Sequence, residues 1–150
     1  MRNPLLAAIF VVFLAPLTHA DNGLVTVKSA HSVKQTADRL ESLLQAKGMT
    51  VFGRVDHAAG AKKVEKTLRP TELLIFGNPK VGTPLMQCGQ TIAIDLPQKM
   101  LIWEDATGQV WLTYNAPTYL AKRHGIAQCG DVITKIEKAL RNFANAAAMP

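Results

Sequence analysis

The chain has only two cysteines, few aromatics and almost no serine. Its two cysteines, Cys88 and Cys129, stand far apart, so no C-x-x-C pair or close metal-ligand spacing is present. Aromatics make up 6% of the residues. None interleave with a basic cluster, which argues against a nucleic-acid surface. The densest basic run, "AKKVEK" (61–66), is broken by Glu65 and reads as a solvated face. Serine occurs only as Ser29, Ser32 and Ser42, with no G-x-S-x-G elbow, so covalent catalysis has little support. Beyond the N-terminal twenty residues no apolar run is long enough to cross ~30 Å of hydrocarbon. Repeats, low-complexity tracts and internal linkers are also missing.

What the N-terminus does have is an export signal. Arg2 precedes an apolar stretch from Leu5 to Leu14, followed by Pro16 and by Thr18-His19-Ala20 before Asp21. That order matches the basic, apolar and small-x-small regions of a secretory leader. The expectation is cleavage of residues 1–20 and a mature domain over 21–150 that is periplasmic or secreted and has no membrane span. Loss of Arg2 takes the formal charge from +6 to +5, a balance that favours acidic surfaces. One domain of this length buries a core without staples. In an oxidising compartment three readings of the cysteines stay open: a structural disulfide, two free thiols, or soft metal ligands.

Periodicity supplies the elements. "LVTVKS" (24–29) alternates as a half-buried strand. Ser32 followed by Gln35 is a capping box, Gly48 is a stop, and Val33, Ala37, Leu40 and Leu44 form the stripe of an amphipathic helix between them. "MTVFGRVDHA" (49–58) reads as a strand with Met49, Val51, Val55 and His57 on one face and Phe52, Arg54 and Asp56 on the other. Residues 58–72 are polar, with room for one short helical turn. "TELLIFG" (71–77) is an apolar strand, "TIAIDLP" and "KMLIWED" read as one strand bent at Pro97, and "QVWLTYN" (109–115) completes a hairpin across Asp105–Gly108. A loop containing Pro117 leads to a last helix over 131–148, capped at Asp131 and striped by Val132, Ile133, Ile136, Leu140 and Phe143. The order strand-helix-four strands-helix predicts an α+β fold: a curved antiparallel sheet with two helices packed on one face.

"RVDHAAGAKKVEKTLRPTELLIFGNPKVGTPLM", "IAIDLPQKMLIWED" and "TYNAPTYLAKRHGI" together resemble the family known as domain of unknown function 302. The likeness runs from "GLVTVKS" through the final helix. It implies a fold like the TATA-binding-protein-like α+β class and a tendency to form homodimers, and it implies no assigned activity. "QCGQ" (87–90) and "AQCGD" (127–131) depart from the family pattern. Both cysteines fall in expected loops, which favours a bridge peculiar to this chain.

"FGNPKVGT" (76–83) sets Gly77 and Gly82 at the spacing of a phosphate loop. The Lys that such a loop needs after Gly82 is missing, and no helical stripe follows, so the stretch is expected to be a turn. Asp56 and His57, as strand neighbours, point to opposite faces and do not form a dyad with each other. The preferred expectation is a non-enzymatic module, with no cofactor, that binds a small ligand or a partner protein at the loop end of its sheet. Its lining would be Asp56, His57, Asn78, Lys80, Tyr114 and Asn115. Two alternatives stand beside it: an enzyme using His57 as acid/base with Lys80 holding an anion, and metal or redox handling through Cys88, Cys129 and His124.

Overall fold

The structure, a computed structural model, describes residues 18–19 and 22–150, so the expected leader over 1–20 falls almost wholly outside the described residues. Strand β1 (Thr18–His19) pairs with β2 (Leu24–Lys28), whose alternation turns Val25 and Val27 inward. Helix α1 (Val33–Ala46) opens on the expected capping box: Ser32 Oγ accepts from Gln35 N at 3.3 Å and Gln35 Oε1 accepts from Ser32 N at 3.1 Å. It ends at Gly48, whose φ of +70° is the left-handed stop that glycine adopts without strain. β3 (Thr50–Asp56), α2 (His57–Lys62), β4 (Thr71–Gly77) and α3 (Pro79–Cys88) follow. A 3-10 turn over Gln90–Ile94 leads to β5 (Gln98–Glu104), β6 (Val110–Asn115) and α4 (Pro117–Arg123). A second 3-10 turn (Ala127–Cys129) leads to α5 (Gly130–Ala148).

All strand pairs are antiparallel, in the order β1-β2-β6-β5-β4-β3. The five longer strands give the expected α+β architecture, and α1 and α5 pack against each other over one face. Leu40, Leu44, Leu74, Phe76, Met100, Ile102 and Leu112 are fully buried between sheet and helices. Each contributes about 1.5–3 kcal/mol of hydrophobic burial. Among the described residues no long helix covers the opposite sheet face. Leu73, Ile75, Leu101 and Trp103 lie half-buried on it, with Trp103 Nε1 donating to Thr113 Oγ1 at 2.9 Å.

Four local expectations are corrected. "IAIDLP" is not strand: residues 90–94 wind into the 3-10 turn, and β5 begins only at Gln98 after a cis Leu96–Pro97 bond. Pro117 opens helix α4 from its first position, where its missing N–H is not needed. The turn expected at 76–83 gives way to α3 from Pro79 onward. In β3 a bulge between Val51 and Gly53 reverses the alternation. Val51 pairs with Phe76, but beyond the bulge Arg54 pairs with buried Leu74 and Val55 with half-buried Leu73. Arg54 therefore sits under α1, and Val55 is exposed.

Asp105 organises the β5–β6 turn. It accepts hydrogen bonds from Trp111 Nε1, Thr107 N and Oγ1, and Gln109 N. Those bonds, Trp111's foremost, hold its carboxyl well below the ordinary range.

Candidate functional site

The expected six-residue lining is not one place. β3 runs from Thr50, opposite Gly77, to Asp56, opposite Glu72. Asp56 and His57 thus lie about 20 Å along the sheet from Asn78 and Lys80, six residues at ~3.3 Å each. Asp56 Oδ1 accepts from Ala59 N at 2.8 Å and caps α2, and His57 is the exposed first residue of that helix. Tyr114 is buried beneath the helices, and Asn115 pairs with Leu24 at the far side of the sheet.

Burial pushes the Tyr114 phenol up to about 12, with Arg141 pulling it down and Glu137 pushing it further up. Its folded value lies above the ordinary 10.0, so the stability it confers is whole below pH 10 and is lost as pH rises through 12. In a Tyr119→Phe variant, phenolate absorbance should titrate with a midpoint near 12. A midpoint near 10 would show the ring to be solvated.

Asn78 and Lys80 do meet something. α3 starts at Pro79, with Asn78 as its cap: Asn78 Oδ1 accepts from Lys80 N at 2.9 Å, and Asn78 Nδ2 donates to Gly48 O at 3.1 Å. A helix therefore does follow the glycine-spaced stretch. Even so, its first amides are taken, because Val81 N and Gly82 N both donate to Asn78 O at 2.9 Å. With those donors spent and no Lys after Gly82, the loop has nothing left to cradle a phosphate.

What α3 builds is a wall. Between α3, α5 and the ends of β3 and β4 opens a cleft of about 750 Å³, a size at which small-molecule sites occur. Phe76 and Phe143 meet edge to face on its lining, with centroids 6.4 Å apart and planes at 81°. Leu85 comes from α3, and Val132, Ile136, Ala139 and Leu140 from α5. Lys47, Lys80 and Lys135 also border it, with Asn78 and Gln98, and none of the lining residues carries a carboxylate. Sequence reasoning assigned the whole α5 stripe to the core. The stripe is wider than one sheet contact needs, and its Val132–Ala139–Phe143 side is the part that walls the cleft.

A second polar cluster lies where two loops meet. His124, a candidate metal ligand, is mostly buried: Nε2 lies 2.6 Å from Asp95 Oδ2, and Nδ1 lies 3.1 Å from Thr91 Oγ1. Arg123 adds a contact to Asp95 at 3.3 Å. Carboxylate, imidazole and hydroxyl are in relay order. Thr91 is exposed, however, and none of these residues lines the cleft, so the cluster ties the first 3-10 turn to the end of α4. Close by, Cys88 and Cys129 are bonded to each other, with Cα atoms 6.5 Å apart, which leaves neither sulfur as a metal ligand. Among the described residues no group of three or more His, Cys, Asp or Glu side chains converges.

An antiparallel α+β sheet with α1 and α5 packed over one face defines the class of fold. The chain belongs to the family "Domain of unknown function DUF302", whose model matches residues 25–143. It is similar in fold to an uncharacterized conserved DUF302 protein from Bacillus stearothermophilus: TM-score 0.75, 19% identity, covering 83% of this chain and 98% of that one. Over 115 residues it is 54% identical to "Fluoride-specific ion channel FluC 1" of Brucella suis and of Brucella abortus. Those matches cover 77% of this chain but only 45% and 43% of the Brucella proteins. The chain thus spans less than half the length of these curated relatives, and no helix among its described residues is long and apolar enough to cross a membrane.

Proposed function

We propose that this protein is an exported binding module, without catalysis of its own, that seats a small apolar ligand in the cleft between α3 and α5. The single observation carrying this reading is the cleft itself: about 750 Å³, walled by one face each of two helices, and lined mainly by apolar side chains. Of the six residues expected to line a site, Asn78 and Lys80 border this cleft. Asn78 holds α3 in place, and Lys80 is free to meet a ligand. Export is supported by the leader pattern over residues 1–20 and by a cysteine bridge, which persists outside the reducing cytoplasm. Cleavage after Ala20 would remove β1 and leave β2 as the sheet edge. The channel name belongs to the Brucella proteins, more than half of each of which lies outside the match.

Ala139 is exposed on α5 and lines the cleft, so Ala139→Trp should fill the opening without disturbing the core. A neutral solvatochromic dye such as Nile Red should bind the purified protein. The tryptophan should weaken it at least about tenfold while the melting temperature holds. Unchanged dye binding in the variant would refute the cleft as a ligand site.

Homodimer formation, implied by family resemblance, fits the sheet face opposite α1 and α5, where Leu73, Ile75, Leu101 and Trp103 lie side by side. Contiguous apolar surface of this kind marks interaction sites. Sedimentation equilibrium should report a dimer that Leu101→Glu converts to monomer. A wild-type monomer at micromolar concentration would remove the dimer.

A further inference from the structure

We infer that the cleft selects an amphiphilic anion, a single alkyl chain ending in a carboxylate. This deepens the proposal that the cleft is a ligand site, and rests on it. Phe76, Phe143 and Leu140 give the cleft a lining that rewards only apolar groups. Around them stand Lys47, Lys80 and Lys135, contributed by the cap at the end of α1, the start of α3 and the second turn of α5.

All three lysines are exposed, and none has an ion pair among the described residues. By contrast Lys34 pairs with Asp38 at 2.8 Å, and Lys99 donates to two backbone carbonyls. A lysine lays its methylene stem along apolar surface and keeps its ammonium in water. Three such residues around an apolar recess, with no carboxylate in the lining, put one charge sign at the mouth and hydrocarbon beneath. A cationic amphiphile meets repulsion there, and a neutral one gains nothing from the rim. The recess between two helices suits one chain entering lengthwise, whereas a bilayer presents a broad surface.

The test uses full-length mature protein and displacement of Nile Red by dodecanoate, dodecanol and dodecyltrimethylammonium. Each is held below its micelle concentration. Dodecanoate should bind about tenfold more tightly than dodecanol, three partly screened charges each adding a small factor, and the cation should bind weakest. Lys47→Gln, Lys80→Gln and Lys135→Gln combined should bring dodecanoate to within about twofold of dodecanol. They should leave dodecanol and the melting temperature unchanged, since the three side chains are exposed.

Equal affinity for dodecanoate and dodecanol in the wild type would overturn the anion selectivity while leaving the cleft as a ligand site. Failure of every amphiphile to displace the dye would sink both readings together. Co-sedimentation with dioleoylphosphatidylglycerol vesicles, lost in the triple variant, would overturn the inference in favour of membrane docking. Displacement by protein concentration instead of dodecanoate would assign the cleft to a second copy of the chain.

Discussion

Replacing Arg54 with methionine should cost about 3–5 kcal/mol of folding stability, several times the loss from an ordinary surface ion pair. The difference lies in what is left behind. Arg54 reaches from β3 under α1, where its Nη1 meets Asp38 at 2.7 Å and Glu41 at 3.1 Å and its Nε meets Glu72. Glu72 is 9% exposed, so without the guanidinium a carboxylate stays out of water with no cation. Burial works against the guanidinium's charge. The hydrogen bonds it donates to Glu72, then to Asp38 and Glu41, more than offset it and push its pKa above the ordinary value. Urea unfolding should show the loss as a lower midpoint at constant slope.

Arg54→Met with Glu72→Met should recover most of the loss, because burying neither charge avoids the penalty. A cost below about 1 kcal/mol for Arg54→Met alone would show Glu72 to be hydrated. Asp38 gives a second readout. Hydrogen bonds from Lys34, then Arg54, hold its carboxyl below the ordinary 3.8. Its contribution is therefore present above pH 3.8 and lost as pH falls through the lowered value. Arg54→Met should flatten that acid limb.

Arg54 also shows where sequence reading stops. Strict alternation from Val51 put Arg54 on the face away from Val51, and the count was right until the bulge at Phe52. One inserted residue flips every later side chain, and nothing local in "VFGR" sets that parity except a glycine able to bulge. α3 was missed for a related reason. Pro79, Gly82 and Pro84 are poor helix residues in the interior. Pro79 sits at the first helical position, though, where its fixed φ helps, and Asn78 supplies the cap. That pair was in plain view. By contrast α1 and its box were legible because cap, stripe and glycine stop all agreed.

The cleft was not legible, since it is made by helices 79–88 and 130–148 and by two strand ends that only the tertiary fold brings together. In the sequence His57 stands beside Asp56, which in the fold caps α2 instead. The imidazole held between partners is His124, joined to Asp95 and Thr91 across 29 and 33 residues.

The two walls of that cleft are fastened together at one end by the bridge between Cys88, the last residue of α3, and Cys129, just before α5. Closing a loop of 41 residues removes enough unfolded-chain entropy to stabilise the fold by about 4 kcal/mol. The surroundings leave little slack for the bridge to be idle. Gln128 Nε2 donates to Cys88 O at 3.3 Å, and Gly89 lies so near Ile126 that a β-carbon there would sit 2.5 Å from its Cγ2. The Asp95–His124 contact ties the same two loops. Cys88→Ala with Cys129→Ala should therefore lower the urea midpoint by the equivalent of about 4 kcal/mol.

The folded double variant should also bind Nile Red more weakly, because the α3 wall is then held mainly by packing and by Asn78. Alkylation of the unreduced, denatured wild type should label no thiol, and reduction should expose two. Two labelled thiols before reduction would remove the bridge. A stability loss with unchanged dye affinity would confine the bridge to the unfolded state and leave α3 rigid without it.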